Sequence, residues 1–118
     1  MELYDLYAQG RSHLAAGEYL AAIPPLEEAR NISPAQGSIR ESLAVAYLRA
    51  HRYRDALPEA QAAVDCAPND HYAYFLLGRA HQGLGDLVAA RAQYKLANWL
   101  RPGDSAYEAA LAAVASAA

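Results

Sequence analysis

Four histidines, one cysteine and a scatter of carboxylates are the side chains of this 118-residue chain that could support metal or covalent chemistry, and their spacing argues against it. A zinc-type pair needs two ligands three or four residues apart on one helix face, so that both imidazoles reach one ion. His13, His51, His71 and His81 have no such partner. Cys66 stands alone, which removes an intrachain disulfide and a cysteine metal cluster. Gly83-Leu84-Gly85 falls between two helical segments and not between a strand and a helix, so it is not a phosphate loop. No nucleophile elbow or activated cysteine arrangement is present. No catalytic residue, metal or cofactor is therefore expected. The spacing that does carry chemistry belongs to aromatic and cationic residues. Tyr4, Tyr7, Arg11 and Leu14 fall on one helical stripe; Ser38, Glu41, Val45 and Leu48 repeat the spacing, and Tyr72, Phe75, Arg79 and Gln82 repeat it again. Aromatics and arginine dominate the energetics of protein interfaces, so the chemistry on offer is recognition.

The elements that hold these stripes recur with a fixed period. Pro34, Pro68 and Pro102 stand 34 residues apart, and the columns between them align without a slip: Gly10, Ala44 and Gly78; Gly17, His51 and Gly85; Tyr19, Tyr53 and Leu87; Ala22, Ala56 and Ala90; Ala29, Ala63 and Ala97. Each unit reads as a helix, a tight turn at the Gly17/His51/Gly85 column, a second helix and a terminating proline. Small residues mark the places where two helices approach closely. Pro24 and Pro58 are expected near the starts of second helices, where a missing N–H costs little, and Pro25 to loosen or bend its helix. Cys66 shares a column with Ile32 and Leu100 and is expected in the core. His13 and His81 share one with Tyr47 and are expected as packed core or boundary residues. Residues 105–118 break the period. Ser105 and Glu108 suggest a capping box, Tyr107, Leu111 and Val114 an apolar stripe, and the whole a helix covering the open end of the array.

A 34-residue helix–turn–helix with small residues and proline at these spacings resembles the tetratricopeptide repeat. The resemblance implies an all-α, right-handed superhelical solenoid: one domain over residues 1–118, with repeats at about 3–36, 37–70 and 71–104 and a C-terminal solvating helix over 105–118. The pattern is departed from at Leu6 and Arg40, in a column with Tyr74 where the family favours an aromatic, and at His51, where it has glycine. In such solenoids the first helix of each pair lines a concave groove that receives a peptide or a partner's helix, and the three stripes fall there. The expected groove residues are Tyr4, Tyr7, Arg11, Leu14, Glu41, Val45, Leu48, Tyr72, Phe75, Arg79 and Gln82. One branch of the family clamps acidic chaperone tails with lysines, asparagines and an arginine. At the corresponding places stand Tyr7, Arg11, Ser42, Tyr72 and Leu76, so that clamp is not expected here. The ligand expected instead is a protein or peptide with apolar or aromatic anchors and an acidic residue near Arg11 or Arg79. The function implied is that of a non-catalytic interaction module, an adaptor or chaperone-like scaffold. The alternative is a self-associating structural protein using the groove, the convex face, the last helix or Trp99. On the groove reading, Ala63→Leu is expected to overpack a helix contact, and Phe75→Ala to leave stability nearly unchanged while abolishing binding.

Composition is consistent with a small, stacked helical domain. Net charge is −3 with no run of one sign, so neither a nucleic-acid footprint nor attraction to an anionic membrane is expected. Met1 to Asp5 is acidic and enters the repeat pattern directly, without a charged-then-apolar leader, and no apolar run approaches the ~20 residues that span a bilayer. A cytoplasmic, soluble protein is expected, monomeric because the terminal helix covers the open end, with a homodimer through its alanine-rich face as the alternative. Nine arginines against Lys95 alone, with alanine at about a quarter of the chain, suggest a GC-rich bacterial gene.

Overall fold

The structure is a computed structural model describing residues 1–116. The chain forms α1 (Leu3–Ala15), α2 (Tyr19–Ile32), α3 (Gly37–Arg49), α4 (Tyr53–Cys66), α5 (His71–Gly83), α6 (Leu87–Leu100) and α7 (Ser105–Ala113), with no strand among the described residues. Each helix packs on its neighbours in sequence, while α3 also touches α1 and α5. The result is an elongated all-α solenoid of about 46 × 25 × 22 Å.

The turn column explains how each pair closes. Gly17, His51 and Gly85 have φ of 75°, 59° and 84°, the left-handed region. The next N–H in each unit then reaches back to a carbonyl of the first helix: Glu18 to His13 at 2.8 Å, Arg52 to Tyr47 at 2.8 Å, Asp86 to His81 at 2.9 Å. That is the Schellman closure, and it satisfies carbonyls that the helix end would leave open. His51 is the residue for which this backbone is costly, about 1–2 kcal/mol. Its Nδ1 shares a 2.8 Å hydrogen bond with the Tyr53 hydroxyl, which offsets part of the strain.

The small columns are the helix contacts. Ala22, Ala29, Ala56, Ala63, Ala90 and Ala97 are all buried. A Cβ on Gly10 would lie 2.4 Å from Leu26, and one on Gly78 would lie 2.4 Å from the Tyr94 ring, so a larger residue in α1 or α5 would push its partner helix away. The departure at Arg40, in the column that holds the favoured aromatic at Tyr74, also resolves physically. Arg40 Nε donates to the Pro34 carbonyl and the Tyr74 hydroxyl donates to the Pro68 carbonyl, each at 2.8 Å. Two unlike side chains thus tie the same inter-repeat turn.

Three sequence expectations are corrected. Cys66 is exposed, as is Ile32, because the column falls on the last residue of α2 and α4, where the packed face has ended; the thiol reaches only the Ala35 carbonyl, at 3.4 Å. Helix α7 is capped by Asp104, whose carboxylate accepts from the N–H groups of Ala106 and Tyr107, and Ser105 is its first residue. Pro24, Pro25 and Pro58 lie more than a turn inside α2 and α4, where an N–H would have had a partner, yet both helices run through them. Leu20, Ala21 and Arg54, whose carbonyls those prolines leave free, are exposed to water. His13 and His81 are half-buried, at the edge of the core. On α7, Tyr107, Ala110 and Val114 beyond its end are buried; Ala117 and Ala118 of the expected cap lie outside the described residues.

Candidate functional site

The first helices α1, α3 and α5 place the three stripes side by side, but only part of the expected set gathers into one depression. Val45 and Leu48 of α3 with Tyr72, Phe75, Arg79 and Gln82 of α5 line a groove of about 770 Å³. One turn of helix separates each from the next, so their shared face follows from the 3.6-residue period.

The floor is aromatic and coupled to the last helix pair. The Phe75 ring centroid lies 6.2 Å from Tyr72, 5.8 Å from Tyr94 and 5.1 Å from Tyr107. Phe75 therefore serves both groove and core, which corrects the expectation that its truncation leaves stability nearly unchanged. Tyr107 is held from the other side by His71, whose Nδ1 lies 2.5 Å from its hydroxyl, while Arg101 approaches the other ring nitrogen at 3.4 Å. Gln82 accepts the Tyr94 hydroxyl at 2.6 Å. Burial raises the Tyr94 phenol to about 12, against the pull of the neighbouring Arg79.

The remaining expected residues lie outside this groove. Tyr4 projects freely at the first end, 78% exposed. Tyr7 packs on the core with Arg11 above its ring, the guanidinium carbon 5.9 Å from the centroid. Leu14, expected on the open stripe, packs against the core cluster of Ile23, Leu26 and Tyr47, because α1 is the end helix and has α2 and α3 alone to lean on. Glu41 is half-buried against Asp70 at the start of α5. Burial, then a hydrogen bond with Asp70 and its charge, raise the Glu41 carboxyl to about 8, opposed by Arg11.

Seven lining residues escape the stripe pattern: Tyr19, Arg49, His51, Tyr53, Leu76, Gly83 and Ala106. Arg49 stands four residues after Val45, so one further step along the second stripe reaches it. Tyr19 and Tyr53 form an aligned column at the start of the second helices, and Tyr53 lies so close to Gly83 that a Cβ there would be 2.2 Å from its ring. Among the described residues, no group of three His, Cys, Asp or Glu side chains is arranged to hold a metal ion, and no helix is long and apolar enough to cross a membrane.

Comparison with known proteins agrees with the geometry. The tetratricopeptide repeat family model matches residues 7–70 and again 41–105. The Hsp70-Hsp90 organizing protein of Triticum aestivum is 33% identical over 111 residues, covering 94% of this chain and 19% of the relative. The chain thus spans less than a fifth of the length of the curated relatives it matches. Among solved structures, the first TPR of Spaghetti (RPAP3) bound to the HSP90 peptide SRMEEVD superposes with a TM-score of 0.89 at 22% identity, over 96% of this chain and 90% of that one. MamA residues 41 to the end, from Desulfovibrio magneticus RS-1, gives 0.91 at 26% identity, over 96% and 64%.

Proposed function

This chain belongs to the tetratricopeptide repeat family, and on that premise we propose that it is a non-catalytic interaction module, an adaptor or chaperone-like scaffold that holds a peptide or helix of a partner protein in its concave groove. The observation that carries the reading is the groove itself, about 770 Å³, with Val45, Leu48, Tyr72, Phe75, Arg79 and Gln82 on one face. Its volume suits a few side chains of a bound segment. The RPAP3 domain, alike in fold, is seen with a peptide bound, which supports use of the fold for peptide capture. The mode differs from an acidic-tail clamp, because Ser42 and Leu76, at two of the five clamp positions, are each only 3% exposed. A cytoplasmic location and a monomer go with this reading.

The test is a pull-down from the native organism's lysate, with wild type beside Tyr72→Ala/Val45→Ser whose fold is checked by circular dichroism. A protein held by wild type and lost by the folded variant is the expected result. Retention of the same proteins by both baits would remove the groove from the account.

One observation favours self-association as a second reading. Trp99 is 77% exposed on α6, with Val88 at 56% and Leu96 at 42% along the same helix. If that stripe joins two copies, light scattering will show a dimer that Trp99→Glu dissolves.

A further inference from the structure

Charge is unevenly placed along the groove. Arg49 and Arg79 lie toward the end where α3 and α5 finish, whereas Glu41 and Asp70 lie where those helices begin, with Arg11 close enough to act on the Glu41 carboxyl. Glu41 and Arg49 are eight residues apart on α3, about 12 Å at ~1.5 Å per residue. None of the residues lining the groove is acidic.

The two arginines are also held differently from most others in the chain. Arg30 and Arg40 both reach Glu59, Arg52 reaches Asp55 and Arg101 reaches Asp104. Among the described residues no ion pair involves Arg49 or Arg79. Each lies over a ring instead, Arg49 with its guanidinium carbon 5.9 Å from the Tyr19 centroid and Arg79 5.1 Å from that of Phe75. A guanidinium stacked this way is oriented and partly desolvated while its edge donors remain open to a carboxylate. Arg79 spends part of that capacity on the Tyr94 hydroxyl; Arg49 is exposed.

Resting on the groove reading above, we propose that the groove takes an acidic segment in one direction. A carboxylate of the partner is received by Arg49 and Arg79, and an apolar or aromatic side chain of the same segment lies over Val45, Tyr72 and Phe75. The opposite placement would give up both arginines for the Glu41–Asp70 pair, where the Asp70 charge opposes a carboxylate and Arg11 already has acidic neighbours. Val45 and Phe75 each stand four residues before the arginine on their helix and Tyr72 seven before Arg79, about 6 to 10 Å, so in an extended chain rising ~3.3 Å per residue the two contacts are about two to three residues apart. The partner is thus a protein segment with an acidic residue two or three positions from an aromatic or large aliphatic one. The carboxylate is received two turns of helix along the groove from the Glu41 end.

The experiment uses fluorescein-labelled, end-blocked heptapeptides carrying Trp, Phe or Leu at one position and two Glu two or three residues away, in both orders, beside Gln and Lys counterparts. Anisotropy titrations compare wild type, Arg49→Gln, Arg79→Gln and Glu41→Gln. The proposal expects a Glu peptide to bind at least about tenfold more tightly than its Gln counterpart, as one charge-assisted contact allows. It expects Arg49→Gln to erase that preference without weakening the Gln peptide, and Glu41→Gln to leave it intact. Arg49 is exposed, so its variant tests the claim even if Arg79→Gln unfolds. The proposal is overturned if Lys or Gln peptides bind as tightly, if the Glu preference survives Arg49→Gln, or if a single-stranded oligonucleotide binds in preference to the Glu set. Absence of binding by every peptide also overturns it; the pull-down, which uses none of these probes, separately decides the fate of the groove reading.

Discussion

Arg40 of α3 reaches both carboxylate oxygens of Glu59 on α4, at 3.0 and 3.1 Å, and Arg30 of α2 adds a third contact at 3.3 Å. Glu59 is only 3% exposed, so this anion belongs to the interior of the stack and needs both cations. Arg40→Leu leaves it with Arg30 alone and also removes the bond to the Pro34 carbonyl. The expected loss is about 2–4 kcal/mol, below the top of the range for a broken buried pair because Arg30 remains. Glu59→Ala frees two partly exposed arginines that can turn to water, and should cost less. Urea denaturation of the two variants checks the order; a smaller loss for Arg40→Leu would mean that the triad does not fix the stacking.

Glycine to alanine in a helix normally gains about 1 kcal/mol. At Gly78 the sign reverses, because the added Cβ would lie 2.4 and 2.6 Å from two Tyr94 ring carbons. Tyr94 is fully buried and bonded to Gln82, so it cannot swing aside. Gly78→Ala should destabilise by about 1–3 kcal/mol through overpacking, and Ala63→Leu by a similar amount between α4 and its neighbours. Thermal melts of both variants decide the matter, and a raised Tm for Gly78→Ala would mean that α5 and α6 are less closely packed.

The fold was legible because the period exposes it: a small residue at every thirty-fourth position is needed where Gly10 meets Leu26 and Gly78 meets Tyr94. The groove was legible only in part. Helical spacing says which residues share a face of one helix, and Val45, Leu48, Tyr72, Phe75, Arg79 and Gln82 of the stripes line a single depression. It cannot say what a different helix brings against that face. Hence Leu14 was expected to be open although α1 leans it on the core, and Phe75 was expected to be spare although Tyr107 of α7 packs on it. Cys66 failed for another reason: a column carries its burial only as far as the helix packs, and α4 ends there.

Phe75 now separates binding from stability poorly, and that is testable. Its ring touches those of Tyr72, Tyr94 and Tyr107, and truncation would open a void in the contact between α5, α6 and α7. Phe75→Ala should cost about 2–4 kcal/mol, near the lower part of the range for buried aromatics because Phe75 is only half-buried. Tyr72→Ala, at a side chain 39% exposed, should cost less than about 1 kcal/mol. Equal losses in a chemical denaturation series would contradict this division and place Tyr72 in the core.

Glu41 gives the protein a pH dependence of definite sign. Burial first, then the hydrogen bond and charge of Asp70, raise its carboxyl from the ordinary value of 4.5 to about 8, with Arg11 pulling the other way. Between those values the folded chain holds a proton that the unfolded chain has released, so stability must fall as pH rises through this window. Below it the group is protonated in both states, so stability no longer changes with pH and is at its full value; above it the folded protein carries an ionised Glu41 beside Asp70. Because Glu41 is only half-buried, solvent screening reduces the size of the effect while leaving its direction. Glu41→Gln keeps the shape and cannot ionise, so its Tm should match that of wild type near pH 4 and exceed it at pH 9, the gap opening across the window. Paired melts at half-unit steps measure that difference directly. A constant gap, or one that closes as pH rises, would mean that Glu41 is ionised in the folded protein throughout and that Asp70 does not share its proton.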